Sequence, residues 1–281
     1  MTVDLQYLRQ WVGRERIIND DMDVFRTVAL ASALEVTWTP ATGDELPLCW
    51  QWLYFLDTPG RSQTGEDGHA RTGDFLPPSP LPRRMWASSA MKRTRSLRLG
   101  QAARRHSKVR SIDAKTGKSG TLLFITLDHT ISQDDHVCIQ EEQNPVYRET
   151  PSVAAPAAAG EPAPGDATWS RVFQVDPVLL FRYSALTYNG HRIHFDRTYA
   201  MGKEFYPALV VHGPLLATLL IQLARDSLPS ETLSEFQFRG VRPVFDLHAF
   251  TVCGRQDGKR LLLWIADHEG YLCISASAVL L

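Results

Sequence analysis

Residues Tyr188 to Asp196 read Y-N-G-H-R-I-H-F-D. Two histidines, His191 and His194, stand three residues apart beside an amide, Asn189, and a carboxylate, Asp196. Imidazole titrates close to neutral pH, so such a cluster can take and return protons. Histidines and a carboxylate are also metal-ligand types, but a zinc site needs a further ligand at suitable spacing. His212 is the one candidate, and it precedes a Gly-Pro helix start that suits another role. Proton transfer is therefore the preferred reading, with no metal expected. A plain structural loop competes with it, since asparagine, glycine and aspartate are common turn formers.

The second constellation is Val210 to Leu215, V-V-H-G-P-L. Gly213 and Pro214 open an apolar helix and leave backbone N–H groups free at the positive end of its dipole. That arrangement can hold the oxyanion of a polarised carbonyl. Gly-Pro also simply starts helices. Its distance of about twenty residues from the histidine loop makes it more specific.

These groups need elements to hold them. Asp176-Pro177 is an N-cap and first helical residue for PVLLFRYSALTY, just before the histidine loop. LLATLLIQLARDSL after Gly213-Pro214 reads as a buried helix, and a series of strands follows, with hairpin turns at Asp257-Gly258 and Glu269-Gly270. One buried helix followed by antiparallel strands suggests a sheet wrapped around a helix, the hot-dog architecture. The first part of the chain looks like a variation on the same plan. DDMDVFRTVALASALEV reads as its helix, followed by strands SLRLGQAARRHSKVRSID, GTLLFITLDHTIS and DHVCIQEEQNPVYRE, with a hairpin turn through Thr116-Gly117 and Lys118-Ser119. Residues 57–82 form a long irregular stretch, of a length that is uncommon and often functional or disordered. Residues 151–167, rich in Pro and Ala, read as a linker between 1–150 and 168–281. The fold class expected is α+β, a double hot dog with an antiparallel sheet wrapped around a helix in each half.

The net charge of −1 gives no whole-molecule field to attract nucleic acid or an anionic membrane. Four scattered cysteines form no disulfide framework or C-x-x-C pair. The beginning, MTVDLQYLRQ, lacks the basic and apolar regions of a signal peptide, and no apolar run is long enough to span a membrane. A cytoplasmic location is expected.

The match of Ala-Leu-Thr-Tyr-Asn-Gly-His-Arg-Ile-His-Phe-Asp, followed by Tyr199-Ala200, His212-Gly213 and the strand FRGVRPVF, resembles the MaoC-like R-specific enoyl-thioester hydratases. The Y-N-x-H-R-I-H-F-D variant looks like the branch with itaconyl-CoA and mesaconyl-C4-CoA (3-methylfumaryl-CoA) hydratases and mitochondrial 3-hydroxyacyl-thioester dehydratases. Phe75-Leu-Pro-Pro, Leu81-Pro-Arg-Arg-Met-Trp86, Lys118-Ser-Gly120 and Glu141-Glu-Gln with Tyr147-Arg-Glu149 extend the likeness into the first half.

The resemblance implies a hydro-lyase adding water to an α,β-unsaturated acyl-CoA, with a branched C5 dicarboxylyl thioester preferred, and citramalyl-CoA as product. His194 falls on the family's catalytic histidine. Asn189 stands where the family has an aspartate, and His191 where it has an asparagine. An amide is no general base, so either Asn189 orients water for His194 or His191 supplies a second titratable group. Gly213 would polarise the thioester. Tyr188, His212, Arg83, Arg84, Trp86 and Arg242 are expected to contact substrate, the arginines through forks that fit carboxylate or phosphate. The basic stretch Lys92 to Arg110 either lines the CoA entrance or is the solvent face of strands, the second being preferred. The first half is expected to bind acyl-CoA without catalysing. No cofactor is implied beyond the CoA of the substrate, and a monomer or a homodimer of double hot dogs is left open. Rival readings are a dehydratase of longer acyl chains and a non-catalytic acyl-CoA-binding protein. A hot-dog thioesterase is disfavoured, since its helix would offer only Asp226 as a carboxylate.

Overall fold

The computed structural model describes residues 3–117, 120–150 and 160–281. Lys118-Ser119 of the expected hairpin and residues 151–159 of the expected linker lie outside them.

Ten strands make one antiparallel sheet in the order β1-β3-β4-β5-β2-β7-β10-β9-β8-β6. The first half supplies β1 (Glu15–Asp20), β2 (Arg83–Arg93), β3 (Ala103–Gly117), β4 (Gly120–Gln133) and β5 (His136–Arg148). The second half supplies β6 (Trp169–Phe173), β7 (Leu233–Gly240), β8 (Phe250–Asp257), β9 (Arg260–Ala266) and β10 (Leu272–Leu280). The two five-stranded sets meet edge to edge where β2 pairs with β7, from Ser88 opposite Arg239 to Lys92 opposite Glu235. Each set thereby covers the other's open edge.

Along β4, burial alternates residue by residue, as a two-residue side-chain period requires when one face is covered. α5 (Gly213–Ser227) behaves differently: every residue from Leu215 to Ala224 is buried, so it is a core helix rather than an amphipathic one. It packs on β8, β9 and β10. Six large aliphatic side chains lie in that stretch, each stabilising by about 1.5–3 kcal/mol relative to exposure. In the first half α1 (Leu5–Leu8) packs near β3, and α2 (Val24–Ala33) lies against α3 (Pro177–Leu186) of the second half. The main core runs without a break from Leu30 and Trp50 to Leu216 and Ile265.

α3 starts as its sequence predicts: Asp176 accepts from Leu179 N at 2.7 Å and Pro177 takes the first turn. Arg83 and Arg84, directly after the irregular stretch 57–82, open β2. In the basic stretch, Lys92, Arg104, Lys108 and Arg110 are exposed on the sheet, the solvent-face reading; Arg93 and Arg105 are half-buried, Arg105 with Nη2 donating to Phe55 O at 2.9 Å. No helix among the described residues is long and apolar enough to cross a membrane.

Candidate active site

α3 ends in tight hydrogen bonding. Thr187 Oγ1 donates to Tyr183 O at 2.7 Å, and Asn189 N reaches back to Ser184 O at 2.8 Å. Tyr188 takes a left-handed backbone, φ 50, to allow it. Asn189 Oδ1 then accepts from His191 N at 3.0 Å, an Asx turn that aims the chain into the histidines. Arg192–His194 form a 3-10 turn, and α4 (Arg197–Gly202) follows, unforeseen in the sequence. Asp196 caps α4 through Tyr199 N at 2.9 Å and holds Arg192 at 2.7 Å. Its carboxylate is structural.

His194 is buried, and its Nδ1–H donates to Val210 O at 2.7 Å. That bond fixes the tautomer and leaves the Nε2 lone pair as the reactive nitrogen. The ring stacks on His212 at 3.7 Å, while His212 Nε2 meets Ser184 Oγ at 2.9 Å. Stacked rings cannot converge on one ion, so the sequence-level metal set of His191, His194, Asp196 and His212 does not assemble. Burial, then the neighbouring imidazoles His212 and His191, holds the His194 pKa well below the ordinary 6.5; burial takes His212 down to about 3. Both are neutral at physiological pH.

His191 lies between His194 and the first half of the chain. Its ring is 5.4 Å from that of His194 and 4.2 Å from that of His69. Its Nε2 is 3.5 Å from Glu204 Oε1. Glu204 in turn takes Arg83 Nε at 2.7 Å, and Arg83 Nη2 reaches Glu204 O at 2.6 Å. Burial would raise the Glu204 carboxyl, but His191 and Arg83 outweigh it and keep it low. Arg83 is thus spent on a buried ion pair, with its guanidinium over the Tyr206 ring at 4.1 Å.

A cavity of about 1010 Å³ opens beside these groups. It is lined by His191, His194, Asn189 and Gly213 of the second half and by His69 and Trp86 of the first. Arg83, Arg84, Arg148 and Arg242 also reach it, as does Tyr188 at its exposed rim. Trp86 donates its indole N–H to Ser88 O and presents its ring as apolar wall against Trp52 and Phe238. Arg242 lies 3.7 Å from Asp267 and packs over Tyr271. His212 sits behind His194 rather than on the wall. A Cβ built on Gly213 would meet no protein atom within 4 Å, so the helix start faces open space.

Residues 64–70, within the long loop, cross over the histidine loop. Arg192 N donates to Asp67 O at 2.9 Å, and Gly68 lies so close to Gly190 that a Cβ there would be 1.8 Å from Gly190 O. His69 Nδ1 pairs with Asp67 Oδ2 at 2.9 Å. Asp67, His69 and His191 also bring three ligand-type atoms within 4.8 Å of one another. Asp67, His69 and Glu204 escaped the sequence reading. Only the length of the loop pointed toward the first two.

Residues 49–246 match the hydroxyacyl-thioester dehydratase type 2 family. The chain belongs to this family. It is 43% identical, over 96% of both chains, to a mesaconyl-C(4)-CoA hydratase of Chloroflexus aurantiacus. It is 28% identical to a mitochondrial hydroxyacyl-thioester dehydratase type 2 of Schizosaccharomyces pombe, over 77% of this chain and 79% of that one. Among solved structures it resembles HtdX of Mycobacterium tuberculosis, with TM-score 0.68, 15% identity and coverage of 95% of this chain and 100% of that one. Another M. tuberculosis protein, described as having a double hot-dog fold, matches with TM-score 0.59 and 14% identity over 96% of each chain. The fold is the double hot dog expected from the sequence, and the chain is a hydratase/dehydratase of that family.

Proposed function

We propose that the protein reversibly adds water to the double bond of a branched, dicarboxylic enoyl-CoA of the mesaconyl-C4-CoA type, giving the 3-hydroxyacyl thioester citramalyl-CoA. The observation that carries the substrate is the 43% identity, over nearly all of both chains, to the Chloroflexus aurantiacus hydratase. The chemistry rests on neutral His194 beside the open N-terminus of α5.

The thioester carbonyl accepts a hydrogen bond from Gly213 N–H, at the positive end of α5. That draws electron density from the β-carbon. His194 Nε2 takes a proton from water as the oxygen bonds to the β-carbon, and the π electrons move onto the carbonyl oxygen as an enolate. The same imidazole then returns the proton to the α-carbon. This chemistry needs imidazole and backbone amide alone, with no cofactor. Asn189 and His191 shape the histidine loop around the water: Asn189 through its turn, His191 through its Glu204 contact.

In such a substrate the free carboxylate sits on the β-carbon itself, next to the attacking water. A cation there offsets its charge. With Arg83 held by Glu204, that role falls to Arg84, whose charge acts on the His69 ring. Trp86 and Tyr188 flank the acyl and pantetheine path, and Arg242 lies toward the CoA end. Both halves of one chain line the cavity, so the reaction calls for no second subunit; a homodimer would repeat the site.

Dehydration of longer 3-hydroxyacyl thioesters is the second reading, supported by the Schizosaccharomyces pombe relative and the apolar wall of Trp52 and Trp86. The test follows enoyl-thioester absorbance with mesaconyl-C4-, itaconyl-, crotonyl- and long-chain enoyl-CoA. A preference of at least about tenfold in kcat/KM for a C5 dicarboxylyl thioester is expected; a preference for long chains supports the second reading. Binding without turnover of any would contradict both.

A further inference from the structure

A water that must attack in one direction needs both of its hydrogens held, and His194 Nε2 can take only one of them. In the second half, Asn189 Oδ1 already accepts from His191 N, and His191 Nε2 faces Glu204. The first half, expected only to bind, brings a hydrogen-bonded Asp–His couple to the same cavity.

We propose that His69, oriented by Asp67, is a second catalytic histidine: its Nε2 accepts the other hydrogen of the attacking water, leaving the oxygen lone pair for the β-carbon. This rests on the hydration reading above. The Asp67 carboxylate accepts from His69 Nδ1–H at 2.9 Å, which fixes the tautomer with Nε2 as acceptor. His69 N also donates to Asp67 Oδ1 at 3.1 Å, so side chain and backbone are locked together. The ring packs at 4.2 Å on His191, which packs in turn on His194. The crossing of Gly68 over Gly190 allows this approach, since a side chain at either glycine would collide with the other's backbone. Burial brings the His69 pKa down to about 4 against the opposing pull of Asp67, so the ring is a neutral acceptor at pH 7. No bond to His69 forms or breaks. The water proton still passes to His194 and on to the α-carbon, while His69 sets the direction of attack. Aligning a reactant in this way lowers the barrier without tightening substrate binding.

The test compares kcat and KM of wild type, His69→Ala, His69→Gln and Asp67→Asn on the enoyl-CoA that the wild type hydrates best. His69→Ala should lower kcat by about a hundredfold with KM changed less than about threefold. His69→Gln keeps an acceptor oxygen near the Nε2 position and should recover part of the loss. Asp67→Asn, which can donate to Nδ1 and so favour the wrong tautomer, should lower kcat by about tenfold or more. If His69→Ala does not melt cooperatively, the Asp67→Asn result decides. Unchanged kcat in both His69→Ala and Asp67→Asn, or a rise in KM alone, overturns the proposal and leaves the hydratase reading standing. A wild type that hydrates none of the thioesters overturns the hydratase reading, and this one with it.

Discussion

At the scale of residues, the site is a set of neutral imidazoles kept neutral by burial. His194 and His69 are both held below the ordinary 6.5 by desolvation first. The groups facing them are His212, His191, the Val210 carbonyl and His69 for the one, and Asp67, Arg84 and His191 for the other. A base with a depressed pKa stays competent as pH falls, so kcat/KM should stay level as pH falls from about 7.5 through 6.5. A half-loss near pH 6.5 would contradict this. The same shifts act on stability. Between 6.5 and about 4 an unfolded His69 binds a proton that the folded one does not, so the free energy of unfolding falls as pH falls through that window. The melting temperature should decline there, and low-pH rates are best taken after brief pH jumps. Arg84→Ala removes the cation assigned to the β-carboxylate. It should raise KM for mesaconyl-C4-CoA by about tenfold or more, the value of a charge-assisted hydrogen bond, and leave KM for crotonyl-CoA near wild type.

At the scale of elements, the cavity depends on where two loops cross. Gly68 has φ +89 and lies against Gly190, while Glu66 O and Asp67 O both accept from Arg192. Gly68→Ala would drive a methyl into the Gly190 carbonyl. The crossing must open, and kcat should fall by at least about tenfold while the sheet and α5 persist by circular dichroism; unchanged kcat would contradict the crossing. What the sequence made legible follows from the range of the interactions. Asp176-Pro177, Gly213-Pro214 and the apolar run of α5 are local signals, and the structure realises each. So is the alternation along β4. The histidine loop was legible because its residues are adjacent in the chain. The Asp67–His69 couple was not, because it meets His191 through contacts spanning about 120 residues, and neither residue belongs to a periodic pattern. The commitment of Arg83 to Glu204 was hidden for the same reason: the partners are 121 residues apart. The short helix α4 was missed because its cap, Asp196, reads equally well as a catalytic carboxylate.

At the scale of the whole molecule, β1 to β5 and β6 to β10 make two five-stranded sets, and neither set is closed alone. β2 and β7 would present bare edges, and the main core would be cut between α2 and α3. The halves should therefore unfold as one cooperative unit. Tryptophan fluorescence, with Trp50 and Trp52 in the first half and Trp169 and Trp264 in the second, should give the same denaturant midpoint as far-ultraviolet circular dichroism. Two separated transitions would contradict a shared core. The pairing has a functional consequence: α5 and the histidine loop come from one half, while His69, Arg84 and Trp86 come from the other. The most direct test of the central claim is hydration of mesaconyl-C4-CoA in water enriched in oxygen-18, read by mass spectrometry for wild type and His194→Ala. The account predicts a 3-hydroxy thioester carrying one heavy oxygen from the wild type, and a rate lower by about a hundredfold or more from His194→Ala. Unlabelled thioester recovered from the wild type, release of free CoA in place of hydration, or equal rates from the two proteins would contradict it.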